Sequence, residues 1–131
     1  MPREVLGRHL IVEVFDADPA LLNNADALEQ LLLEAAHAAQ ATVVESVFHQ
    51  FSPYGVSGVI VIAESHLTIH TWPEFGYAAL DIFTCGPKMD LDAAVEVIRK
   101  GLGGRTLQLE ISRGQGVCSF QGEGARCALR A

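Results

Sequence analysis

The sequence predicts an α/β chain of the α+β type, a two-layer sandwich whose mainly antiparallel sheet carries helices on one face. Three observations support this. Stretches with apolar residues at helical spacing fall in the first and last thirds of the chain, and segments of strand character lie between them. Two of those strands are separated by a short Pro- and Gly-punctuated turn. The 131 residues, 50% of them hydrophobic, suffice for one core and no second domain.

Leu10 to Phe15 is rich in branched residues and reads as a strand. Pro19 opens a helix in which Leu21, Leu22, Ala25, Leu28, Leu32, Ala35, Ala36 and Ala39 form one apolar stripe. Asp26, Glu29, Gln30 and Glu34 lie opposite, so this helix must pack on a sheet. Thr42 to Phe51 and Gly58 to Ala63 read as strands joined through Ser52 to Ser57. Tyr77 to Cys85 is a further apolar run after the break at 72–76. Asp90 is placed to cap a second helix with Leu91, Ala94, Val95, Ile98 and Leu102 on one face, ended by Gly103 and Gly104. Leu107, Leu109 and Ile111 alternate with polar residues in a last strand with one wet face. The expected order is β-α-β-β-β-α-β, one domain over residues 1–113, with a Gly-rich tail over 114–131.

A net charge of -7, with only nine Lys plus Arg, argues against nucleic acid and suits a cationic small molecule better. The first residues have neither a signal-peptide pattern nor a membrane span, so a cytoplasmic protein is expected. Cys85, Cys118 and Cys127 are odd in number and lack metal-ligand spacing, which speaks against a disulfide framework.

The segment AESHLTIHTWPE, Ala63 to Glu74, carries the chemistry. It sets an acid–serine junction, Glu64 and Ser65, beside two histidines and a Trp-Pro-Glu turn. Serine is a weak nucleophile unless a base or a strained backbone activates it. An isolated Glu-Ser would be an ordinary turn. If residues 66–72 are extended, His66, Thr68, His70 and Trp72 share one face, which lets His70 point into a site. Cys85 ends a strand just before Gly86, where its sulfur can emerge at the sheet edge, although a lone cysteine in an apolar run is ordinarily inert filling. Phe51 and Trp72 are aromatics on either side of the serine–histidine stretch 65–70, and Glu74 can accept hydrogen bonds from hydroxyls.

Together with Tyr54 to Ser57 and Phe83 to Gly86, the segment resembles the prokaryotic S-adenosylmethionine decarboxylase proenzymes. The resemblance runs from Gly7 to about residue 113 and leaves the last stretch uncovered. It implies self-cleavage between Glu64 and Ser65, with Ser65 converted to a covalent pyruvoyl cofactor that takes the substrate amine as a Schiff base. It also implies His70 as the processing base, Ser57 as a processing residue and Cys85 as the proton donor to the substrate. Phe51 and Trp72 would stack the adenine, Glu74 would bind the ribose, and Leu67 would offer backbone hydrogen bonds to the base. The implied protein is a homodimer acting on S-adenosylmethionine in polyamine biosynthesis. The same processing motif also serves pyruvoyl-dependent arginine and ornithine decarboxylases. An alternative of another class is an unprocessed, non-enzymatic subunit, against which the joint presence of Ser57, Ser65, His70 and Cys85 speaks. A metal site built from His66, His70 and Cys85 is a rival reading that lacks a fourth ligand and the helical spacing, so no metal is expected.

Overall fold

A computed structural model describes residues 5–86 and 88–114. It contains strand β1 (Val5–Phe15), helices α1 (Pro19–Leu22) and α2 (Ala25–Ala38), strands β2 (Val43–Gln50), β3 (Val56–Ile62) and β4 (Ser65–Trp72), a 3-10 turn (Pro73–Phe75), strand β5 (Tyr77–Thr84), helix α3 (Leu91–Leu102) and strand β6 (Arg105–Gly114). The strands form one sheet in the order β2-β3-β4-β5-β1-β6, with every neighbouring pair antiparallel. This is the expected two-layer sandwich with one strand more than the expected order. The addition is β4, the segment that carries the chemistry. Its polar residues hide a strand pattern, but Leu67, Ile69 and Thr71 are buried beneath the helices while His66, Thr68, His70 and Trp72 face the other way.

Local chemistry explains the helix bounds. The single helix expected from Pro19 is two, because Asn23 and Asn24 intervene and the Asn24 side chain accepts from Ala27 N–H at 3.1 Å to start α2 afresh. Asp18 caps α1 and Asp90 caps α3 in the same way. Gly103, at φ 69°, ends α3 in a conformation that a side chain would disfavour.

The core lies between the sheet and α2 with α3. Leu28, Leu32, Ala35 and Ala36 of α2 and Ala94 and Ile98 of α3 meet Leu10, Val12, Ile60, Leu67, Ile69 and Ile82 of the sheet. Among the described residues the opposite sheet face carries no helix. The apolar side of β6 belongs to that open face, not to the core: Leu107, Leu109 and Ile111 register with Glu13, Ile11 and His9, and Leu107 is 61% exposed. Gly114, where the expected tail begins, is the last residue of β6. The remainder of that tail, 115–131 with Cys118 and Cys127, lies outside the described residues.

Candidate active site

The registers place the chemistry-bearing residues in rows across β3, β4, β5 and β1. The row Ile62, Ser65, Thr84, Arg8 lies at one end of β4, and the row Ser57, His70, Ala79, Glu13 lies near the other. His66, Phe83 and His9 form a row beside the first, and Thr68, Asp81 and Ile11 form one between the two ends.

At the first end, Ala63 and Glu64 link β3 to β4 as a two-residue connection closed by the Ile62 and Ser65 pair. Such connections favour residues with positive φ, because those turns match the twist of the strands. Ala63 and Glu64 are not among the positive-φ residues, whereas Ser65 is, at φ 150°. The mismatch between turn and twist therefore falls on the serine of the Glu64–Ser65 bond, a strained position for a residue with a side chain. The carbonyl of that bond is gripped: the backbone N–H of Cys85 donates to Glu64 O at 2.9 Å, and the Cys85 thiol donates to the same oxygen at 3.1 Å. Nothing in the sequence foretold this double contact, which arises because β5 ends beside the turn. Thr42 completes the arrangement, accepting from Ala63 N–H at 2.8 Å and donating its own N–H to Glu64 Oε1 at 3.1 Å.

At the second end, Ser57 Oγ and His70 Nδ1 are 2.8 Å apart. They line a cavity of about 280 Å³ together with Phe51, Tyr54, Trp72 and Glu74. Five residues expected around a nucleoside or in processing are thus gathered with Tyr54, which sequence reasoning did not single out. Leu67 is not with them. Its side chain is 1% exposed on the helix-covered face, where it packs in the core, and its backbone runs between β3 and β5.

The two ends do not meet within one chain. Ser65 and His70 are five residue steps apart along the strand, roughly 17 Å at about 3.3 Å per step. The residues therefore form two half-sites, Glu64 with Ser65 and Cys85 at one end of β4, and Ser57 with His70 near the other. For the same reason His66, His70 and Cys85 do not converge, and the rival metal set is not assembled.

Between the half-sites lies a polar group that the sequence left unassigned. His9 Nε2 is 2.7 Å from Asp81 Oδ2, Thr68 Oγ1 donates to Asp81 Oδ1, and His66 Nε2 is 3.6 Å from Asp81 Oδ2. The ligand atoms of His9, His66 and Asp81 lie within 4.8 Å of one another, as in a metal site. Arg113 Nη1, however, donates to His9 Nδ1 at 3.0 Å, so the neutral ring carries its proton on Nε2 and donates it to Asp81. The lone pair a metal would need there is taken, and the group is a cross-strand polar stitch.

Burial works to raise the Asp81 pKa, but hydrogen bonds from Thr68 and His9, with His66 close by, outweigh it and hold the carboxyl below its usual 3.8. A depressed carboxylate stabilises the fold above its unfolded pKa, and that contribution is lost as pH falls through the folded value. The stability gap between wild type and Asp81→Asn is accordingly expected to narrow on acidification below about pH 4. Denaturant midpoints measured at a series of acidic pH values check this, and a gap that widens would contradict it. Nearby, Tyr77 donates to Glu13 at 2.7 Å and packs against Trp72. Burial first, then the bond to Glu13, pushes its phenol up to about 12, so it remains a donor at neutral pH.

Residues 8–114 match the protein family described as S-adenosylmethionine decarboxylase. The chain is similar to the S-adenosylmethionine decarboxylase proenzyme of Thermotoga maritima, 51% identical over 111 residues that span 84% of this chain and 85% of that protein. The corresponding proenzyme of Fervidobacterium nodosum is 57% identical over 95 residues, 72% of this chain and 69% of that one. In three dimensions the chain is similar to the adenosylmethionine decarboxylase of Aquifex aeolicus, with a TM-score of 0.79 and 31% identity, covering 94% of this chain and 98% of that structure. Among the described residues no helix is long and apolar enough to cross a membrane.

Proposed function

The chain belongs to the S-adenosylmethionine decarboxylase family, and from that premise we propose that it cuts itself between Glu64 and Ser65 and then works as a pyruvoyl-dependent decarboxylase. It is an enzyme that converts S-adenosylmethionine to decarboxylated S-adenosylmethionine and carbon dioxide, supplying the aminopropyl donor of polyamine biosynthesis. Residues 1–113 act as its one decarboxylase domain. The observation that carries the self-processing reading is the grip of Cys85 on the Glu64 carbonyl beside a strained Ser65.

That geometry fits the conversion of Ser65 to a pyruvoyl group. Ser65 Oγ adds to the Glu64 carbonyl carbon, and the Cys85 N–H and thiol stand where negative charge develops on the oxygen. Breaking the C–N bond relieves the backbone and leaves an ester with a free amine. A base then removes the Ser65 Cα proton and the Glu64 carboxylate departs. Uptake of water and loss of ammonia leave a pyruvoyl group at the head of the second chain. His70 suits the base: with Nδ1–H donating to Ser57 Oγ, Nε2 keeps a lone pair free.

Because one chain keeps its halves about 17 Å apart, a second copy supplies the missing half. The open face carries Val47, Val59, Ile11, Leu109 and Phe15 around its polar groups, a surface suited to another sheet. A two-fold axis between two such faces, perpendicular to β4, exchanges the ends of the strand, so that Ser57 and His70 of one protomer approach Ser65 and Cys85 of its partner. The homodimer then has two shared sites.

The pyruvoyl group would supply a ketone for the substrate amine and an electron sink as carbon dioxide leaves. The chain's own residues do the rest. Phe51 and Trp72 offer faces to the adenine, Glu74 accepts from the ribose diol, and the Cys85 thiol returns a proton to the α-carbon. Arginine or ornithine would use neither the aromatic faces nor Glu74.

Release of labelled carbon dioxide from carboxyl-labelled S-adenosylmethionine, arginine and ornithine tests this substrate choice. The nucleoside substrate should react fastest, and Trp72→Ala should cost about 1–3 kcal/mol in kcat/KM on it. A faster reaction with arginine or ornithine would overturn the assignment.

A further inference from the structure

The Ala63 and Glu64 connection has no glycine or asparagine to shape it and no positive φ before Ser65, so its form depends on tethers from outside the hairpin. The backbone supplies two of them, Ala63 N–H to Thr42 O and Cys85 N–H to Glu64 O. Side chains add two more: the Cys85 thiol donates to Glu64 O, and Glu64 Oε1 accepts from the backbone N–H of Thr42, the residue preceding β2. We propose that the Glu64 side chain is a positioning residue for self-cleavage, holding the turn on Thr42 so that the Glu64 carbonyl stays on Cys85 and the strain stays on Ser65. The inference rests on the self-processing reading.

Without this tether, the Glu64 φ and ψ are free to relax toward a turn that matches the strand twist, carrying the carbonyl out of line with the Ser65 hydroxyl. Geometry of attack is steeply selective, and a displacement of about 1 Å can cost roughly 100-fold in rate. The same contact acts on the carboxyl itself. The Thr42 N–H above all, aided by Lys88, lowers the Glu64 pKa and keeps its acceptor oxygen ionised at neutral pH. Glutamine retains an oxygen that can accept from Thr42 N–H but has no charge, whereas alanine has neither.

The test follows self-cleavage over time by denaturing mass spectrometry in the full-length wild type, Glu64→Ala and Glu64→Gln, with the melting temperature of each. Glu64→Ala is expected to cleave about 10- to 100-fold more slowly, Glu64→Gln within a few-fold of wild type, and all three to melt alike, because residue 64 lies at an exposed turn. Glu64→Ala cleaving at the wild-type rate would overturn the proposal. So would Glu64→Gln as slow as Glu64→Ala, which would mean that charge and not position matters. A wild type that never cleaves would instead sink the self-processing reading beneath it.

Discussion

Replacing Ser65 by alanine is expected to leave one uncut chain with no decarboxylase activity. The hydroxyl is the only atom lost, and it is both the nucleophile of cleavage and the source of the carbonyl on which decarboxylation depends. The fold should be indifferent to the change. Ser65 Oγ takes part in none of the side-chain hydrogen bonds that hold the turn, which run from Cys85 and Thr42 to Glu64. Denaturing mass spectrometry should therefore find a single species, with a melting temperature at or above that of the uncut wild type. A cleaved Ser65→Ala chain, or one releasing carbon dioxide from S-adenosylmethionine, would contradict the role given to this residue.

The second large effect separates two proton transfers. His70→Ala removes the base for elimination, and loss of a general base typically costs about 10²- to 10⁴-fold in rate. The acyl shift needs only the gripped carbonyl at the other half-site, so the variant should accumulate an ester at residue 65 that hydroxylamine cuts. Cys85→Ala behaves differently. It keeps the backbone N–H on the Glu64 oxygen and loses the thiol, so cleavage slows but proceeds, while the cleaved enzyme protonates the substrate carbon poorly. Cleavage kinetics and product release on the same preparations check both. A cleaved Cys85→Ala enzyme as fast as wild type would remove the thiol from the mechanism.

Much of this was legible in the residues, and the exceptions have physical causes. Asp90 and the pair Gly103 and Gly104 marked the bounds of α3 because caps and left-handed glycines act locally. Strand β4 was legible only as a condition, since His66, Thr68 and His70 on its open face interrupt the apolar run that Leu67 and Ile69 continue beneath. In β6 the alternation tells which residues share a face and not which face is covered; the register of Ile111 with His9 decides that. The Asp81 group draws on β1, β4, β5 and β6, and no local pattern announces contacts so distant in sequence. The division into half-sites was hidden for the opposite reason: Ser65 and His70 are close in sequence, but an extended strand carries them apart.

The measurement that tests the account most directly is co-expression of two tagged chains, one bearing Ser65→Ala and the other His70→Ala. In a dimer with shared sites, the chain that keeps Ser65 meets the partner protomer's intact Ser57 and His70. That chain alone should be cut after Glu64 and acquire a pyruvoyl terminus, restoring up to one active site per mixed dimer, although neither variant matures by itself. If mixed dimers form, as the tags would reveal, and yet neither chain is converted to the pyruvoyl form, then the cleavage chemistry is not divided between protomers and the proposed site is wrong.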